Sequence, residues 1–373
     1  MIYLDYNATT PIDKEVADAM LPYLYGNFGN PSSSHEWGIA AKNAIIKARE
    51  QVALLLNCSS EEIVFTSGGS ESNNTVIKGA AFSFRNKGNH IITSQVEHPA
   101  IIRPCNFLKK LGYEISYIPV DKYGMVNPAD VEKLLTGETI LVTIMHSNNE
   151  TGTVQPIEEI AQICKRHDVL FHTDASQSVG KVPINLESLG VDFLTVAGHK
   201  LYAPKGIGAL YIRNGIDIEP LIHGAGHERG RRAGTENIVF DVALGKACEV
   251  SMAALKNTGI GQLTEYFYSS LKEIYGDKIH LNGHPEKRLP NTLNISFIGR
   301  NGHDILESLN GVAASTGSAC HAGLRTISPV LEAMNVSEEV GRGAVRFSLG
   351  RGTTKDEIDT VLEKMNKIID WSN

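Results

Sequence analysis

Several absences narrow what this chain of 373 residues does. No apolar run approaches ~18 residues, so nothing reads as a membrane-spanning helix. Neither G-x-G-x-x-G nor a Walker lysine pattern occurs, so a dinucleotide or a nucleoside triphosphate is not indicated. The opening Met1-Ile2-Tyr3-Leu4 has no charged leader followed by an apolar stretch, so neither a secretory signal nor a transit peptide is expected. Basic excess is missing as well: 35 Lys and Arg stand against 42 Asp and Glu, and a formal charge of -7 argues against general affinity for nucleic acid. Cysteines are only five, an odd number in scattered, mostly apolar contexts, which fits reduced thiols and a cytoplasmic location.

What is present is alternation. Strand-like apolar runs at 63–66, 91–93, 115–118, 140–144, 169–172, 193–196 and 209–212 alternate with amphipathic stretches such as 40–56 and 157–167. That order predicts an α/β fold, a mostly parallel seven-stranded sheet covered by helices on both faces, with a ligand at the carboxyl ends of the strands. One helical stretch over 241–275 is expected to lead into a smaller α+β domain ending in an amphipathic helix over 355–371. The predicted division is a large domain, 15–250, and a small one made of 1–14 and 251–373. No low-complexity linker separates them, so the halves should pack tightly.

The chemistry concentrates at strand ends. Lys200 follows the apolar run Phe193 to Val196 in a turn punctuated by Gly198, Pro204 and Gly206. An ammonium there must leave water, so its pKa should fall, freeing an amine that condenses with an aldehyde. Asp174 ends another apolar run 26 residues upstream, placed to pair with a pyridinium nitrogen, and Gln177 can reach the ring's phenolic oxygen. Phe65-Thr66-Ser67-Gly68-Gly69-Ser70 reads as strand, glycine turn and helix start, where backbone N–H groups and the Ser70 hydroxyl suit a dianionic phosphate. Together these residues point to pyridoxal 5'-phosphate. No metal is expected.

Further motifs extend the pattern: Tyr3-Leu4-Asp5-Tyr6-Asn7-Ala8-Thr9-Thr10-Pro11, Phe28-Gly29-Asn30-Pro31, Val96-Glu97-His98, Asn148-Asn149-Glu150-Thr151-Gly152, Arg232-Ala233-Gly234-Thr235 and Arg346-Phe347-Ser348-Leu349-Gly350. With these in order, the chain resembles the NifS/IscS-like cysteine desulfurases, fold-type I pyridoxal-phosphate enzymes of the class V aminotransferase family. The resemblance implies that Lys200 binds the cofactor covalently and that Asp174, Gln177, Asn149, Gly69, Ser70 and His199 contact it. By the same resemblance His98 stacks on the ring and moves protons, Asn149 and Arg346 take the substrate, and Thr235 reaches the phosphate of the neighbouring subunit in a homodimer. Where many members have a phosphate-binding serine, this chain has Ala197, and Thr195 or water is the expected replacement.

Cys320 lies in Ala314-Ser315-Thr316-Gly317-Ser318-Ala319-Cys320-His321-Ala322-Gly323, small residues on both sides, as a mobile catalytic loop should read. Cys58, Cys164 and Cys248, in apolar helical patterns, and Cys105 read as structural. The resemblance implies that L-cysteine becomes L-alanine while its sulfur is left as a persulfide on Cys320. A sulfur-acceptor protein, such as an iron-sulfur scaffold or a tRNA-thiolation enzyme, then takes it. Selenocysteine lyase, with the same fold and cofactor, is the alternative reading, and a non-catalytic sulfur-transfer scaffold is a third.

Overall fold

The computed structural model describes residues 1–256, 259–317 and 327–369. Seven strands form the central sheet in the spatial order Ile63–Thr66, Gly208–Ile212, Phe193–Ala197, Leu170–Asp174, Thr139–Thr143, His90–Ser94, Glu114–Ile118. Only Gly208–Ile212 runs antiparallel to its neighbours. The other pairings between adjacent strands are parallel, with registers such as Asp174 opposite Thr195.

Five of these strands are buried along their whole length, which is why the sequence shows them as continuous apolar runs. The period of two still governs which face each side chain meets. Phe193, Leu210 and Val64 join one core with the helices Gly69–Ser83 and Pro99–Lys109. Leu194, Tyr211 and Phe65 join the opposite core with Glu36–Leu56, Ile157–Arg166 and Ile238–Ala254. Gly245 lets two helices of this second layer close: a Cβ there would lie 2.6 Å from the Ala48 Cα.

A second, smaller antiparallel sheet holds Ile279–Asn282, Thr292–Phe297 and Ala344–Ser348. It has its own core around Phe267, Phe297 and Phe347, closed by the helices Gly259–Tyr275 and Lys355–Ile368. A capping box between Thr354 and Glu357 starts the last helix. Ile2–Tyr3 pairs in parallel with Val312–Ala313, bringing the chain's beginning to this part of the molecule.

Three expectations need correction. The stretch 241–275 is two helices, Ile238–Ala254 and Gly259–Tyr275, the first packed into the core of the large sheet and the second into that of the small sheet. The terminal helix ends at Ile368, and residues 370–373 lie outside the described residues. Cys58 is not helical either: it follows Asn57, the left-handed residue that ends Glu36–Leu56. Cys105, Cys164 and Cys248 are helical and buried.

Candidate active site

The strands Leu170–Asp174 and Phe193–Ala197 end side by side, and their carboxyl ends open onto a cleft of about 620 Å³. Lys200, Asp174, Gln177, His98, Asn149, Gly69, Ser70, His199 and Arg346 all line it. Thr235 does not; it is exposed on the segment before Ile238–Ala254. Cys320 lies outside the described residues.

Lys200 closes a one-turn 3-10 helix, Gly198–Lys200, that starts where the buried strand stops. Its Nζ donates to the carbonyls of Asn7 and Ala8, the latter at 2.8 Å. Burial, then the Arg346 guanidinium, push its pKa down to about 8 against the pull of Asp5 and Asp174. Asp174 is held by Asn73 Nδ2, which donates to Oδ2 at 2.7 Å, and by the Ser176 amide, which donates to Oδ1 at 2.9 Å.

His98 caps the helix Pro99–Lys109: its Nδ1 accepts from the Ala100 amide at 3.1 Å. The neutral ring therefore carries its proton on Nε2, the nitrogen left for exchange. Burial lowers its pKa, with Lys200 adding to the effect and Asp174 opposing it. His199 Nδ1 lies 3.2 Å from Thr9 Oγ1, and burial followed by the nearby cations brings this imidazole down to about 4.

The phosphate-type cradle is built as the sequence suggests. Gly68 has φ +141°, a conformation open to glycine, and the helix Gly69–Ser83 begins without a side-chain cap, leaving first-turn N–H groups for an anion. A Cβ on Gly69 would stand 3.0 Å from Ser176 Oγ, so a second hydroxyl meets the helix start. Thr195 does not replace the missing serine: it is fully buried and its Oγ1 lies 3.1 Å from His172 Nε2. Ser67 and Ser176 line the cleft in its place.

Arg346 comes from the smaller sheet. Its Nη2 pairs with Asp5 at 2.6 Å and its Nη1 donates to the Asn149 carbonyl at 3.0 Å, while its buried Nε has no partner among the described residues. Three residues escaped the sequence reading: Asn7, Lys181 and Ser176. Gln177 Nε2 donates to the Asn7 carbonyl at 2.9 Å, and Lys181 Nζ donates to both Asn7 Oδ1 and Gln177 Oε1 at 2.9 Å. Asn7 was visible only as part of a motif; its role as the meeting point of two lysines is not a local signal. In the segment 228–232, Glu228 accepts two hydrogen bonds from the buried Arg49, both at 2.6 Å, while Arg231 donates to the Glu61 carbonyl at 3.1 Å and Arg232 Nε to Glu71 Oε1 at 2.9 Å.

Residues 2–361 match the aminotransferase class-V family. The chain belongs to that family. Among curated relatives, it is 49% identical to the cysteine desulfurase IscS of Dictyoglomus turgidum, over 99% of this chain and 94% of the relative. It is 48% identical to the cysteine desulfurase IscS of Methanosarcina thermophila, over 99% and 92%. A solved NifS-like protein superposes with a TM-score of 0.92 at 38% identity, covering 98% of both chains. SspA, solved in complex with cysteine, superposes with a TM-score of 0.85 at 39% identity, over 94% of this chain and 99% of the other. For this family member the expected fold-type I architecture is the one observed.

Proposed function

We propose that the chain is a cysteine desulfurase that uses pyridoxal 5'-phosphate to convert L-cysteine to L-alanine and leaves the sulfur on Cys320. One observation carries the reading: Lys200, Asp174 and Arg346, from three separate segments, face a single cleft in which the lysine's pKa is brought down to about 8. The likeness to curated cysteine desulfurases over nearly the whole chain supports it.

The residues fit the cofactor. The uncapped start of Gly69–Ser83, with Ser67, Ser70 and Ser176 beside it, suits the phosphate, Asp174 suits a protonated ring nitrogen, and Lys200 suits the aldehyde. When bound, pyridoxal phosphate supplies an electron sink that acidifies the α-hydrogen of the amino acid. Arg346, fixed by Asp5 and the Asn149 carbonyl, lines the cleft with a guanidinium whose charge and planar shape suit the α-carboxylate. Lys200 Nζ, unprotonated more easily than an exposed lysine, takes the α-proton, and His98 Nε2 is the other atom able to exchange protons. Gln177, pinned on both sides of its amide by Lys181 and Asn7, keeps its own donor orientation.

In the sulfur step the Cys320 thiolate attacks the substrate sulfur, an S–S bond forms and the substrate's C–S bond breaks. The released electron pair stays on carbon, which is protonated on the way to L-alanine. The persulfide then passes to a sulfur-acceptor protein, such as an iron-sulfur scaffold or a tRNA-thiolation enzyme. The enzyme is read as a cytoplasmic homodimer, in which Thr235 serves the partner's phosphate. Its exposure away from its own cleft is compatible with that, as are the exposed Tyr25, Phe28, Trp37 and Ile39. The division into 15–250 and 1–14 with 251–373 is part of the same proposal.

The test is alanine release and intact mass after mixing the purified protein with cofactor and L-cysteine. Alanine together with the mass of one added sulfur on Cys320 is expected. Alanine without a sulfur adduct on this chain, or no alanine at all, overturns the reading.

A further inference from the structure

Behind the cleft lies a second cavity, of about 900 Å³, within the range of small-molecule sites. Its walls come from the turn Gly180 to Pro183, the helix starting at Gly259 and the segment Leu349 to Thr353. Three cations line it, Lys181, Arg288 and Arg351, and among the described residues no aspartate or glutamate does.

The carboxylates nearby answer only part of that charge. Arg288 Nη2 has Glu265 at 3.2 Å, and Arg351 Nη1 has Asp13 at 3.8 Å. The Arg288 side chain is nine-tenths buried, yet its Nη1 makes no hydrogen bond among the described residues, and neither does Arg351 Nη1. Lys181 is the least compensated of the three. Its partners Asn7 Oδ1 and Gln177 Oε1 are neutral, and burial followed by the nearness of Lys200 and Arg346 pushes its pKa well below the usual lysine range. Such surroundings drive a lysine toward its neutral form, and an anion beside it would hold the ammonium charged.

The remaining walls are apolar and aromatic. Leu255, Leu263, Pro290 and Leu349 supply aliphatic surface, and the Tyr202 ring stacks under the Arg351 guanidinium at 4.3 Å. A strongly hydrated inorganic ion would leave that surface unused. We infer that this cavity is a second ligand site, distinct from the catalytic cleft, for a small organic anion with a flat or apolar body, its carboxylate or phosphate facing Lys181, Arg288 and Arg351. Lys181 belongs to both places, since it lines this cavity while bonding Asn7 and Gln177 at the cleft. The ligand would thus sit one hydrogen bond from the groups that hold Lys200.

The probe is anilinonaphthalene sulfonate, an aromatic monoanion that fluoresces in apolar surroundings, titrated into the cofactor-loaded enzyme. One saturable site per chain is expected, with benzoate and phenyl phosphate as competitors that tell carboxylate from phosphate preference. Arg351→Met should bind the probe about tenfold more weakly, the cost of one charged partner, while Arg351→Lys keeps most of the affinity. Uncharged phenylnaphthylamine should bind the wild type more weakly than the sulfonate and be indifferent to the substitution. If Arg351→Met loses its cofactor absorbance through misfolding, Arg288→Gln carries the same comparison. Absence of saturable binding, equal affinity in wild type and variants, or equal affinity for the neutral analogue would each overturn the site.

Discussion

Removing the reactive amine should make the cofactor-free protein more stable. Lys200 is pushed from 10.5 to about 8 by burial and by Arg346, so below pH 8 its ammonium costs the fold about 3 kcal/mol relative to the unfolded chain. Lys200→Met removes that cost. It also leaves the carbonyls of Asn7 and Ala8 without their donor, at about 1 kcal/mol each. At neutral pH the variant should therefore gain roughly 1 to 2 kcal/mol, a few degrees in melting temperature. The sign with pH follows from the depressed folded value. Between 8 and 10.5 the unfolded chain binds the extra proton, so wild-type stability rises with pH across that window and the difference closes. Above it the lost carbonyl bonds should leave the variant the weaker protein. Calorimetric melts of both cofactor-free proteins at neutral and alkaline pH are the measurement. A variant less stable at neutral pH, or a gap that does not narrow on the way up, refutes the account of the buried ammonium.

Lys200→Ala should lose both the bound-cofactor absorbance and alanine release; borohydride labelling of Lys205, which also lines the cleft, would contradict this. Cys320→Ser should keep the absorbance and still bind L-cysteine but form no persulfide, as read by intact mass, and a sulfur adduct at full rate on Cys105 or Cys248 would refute it. Arg346→Ala should raise KM for cysteine by one to two orders of magnitude, corresponding to roughly 2 to 3 kcal/mol of charge-assisted bonding, and an unchanged KM counts against its contact with the carboxylate. Arg49→Met should destabilise the fold by about 3 to 5 kcal/mol in chemical denaturation, because among the described residues Glu228 keeps only the Phe65 amide as partner in a buried place. A loss under about 1 kcal/mol would mean the pair contributes as little as a surface bridge.

Much of this molecule is written locally. Strands buried on both faces must be apolar throughout, so runs such as Phe193 to Val196 announce themselves, and a charged residue at or just past the end of two of them, Asp174 and Lys200, marks the sheet's carboxyl edge. Lys200, Asp174 and the Gly68-Gly69 turn were legible for that reason: each sits where a strand's own pattern stops. The helix break after Ala254 was not, because apolar residues continue on both sides of it and only packing shows that the first helix serves the large core and the second the small one. Thr195 shows the opposite limit. A hydroxyl two residues before Ala197 is a fair substitute by spacing, but strand alternation and packing turn it to His172.

What only the tertiary structure decided is which distant groups share one atom's surroundings. Asn7 takes Lys200 on its carbonyl and Lys181 on its side chain, and Arg346 pairs with Asp5 across 341 residues of sequence. No periodicity encodes such meetings, since they depend on how the small sheet docks against the large one. The same docking leaves the second cavity with three cations from separate segments, a charge balance invisible until the chain is folded. The sequence by itself determined where strands end and which residue types stand there. Burial, shared partners and the shifted proton affinities of Lys200 and Lys181 arise only when those ends converge, because desolvation and Coulomb interaction act through space and not along the chain.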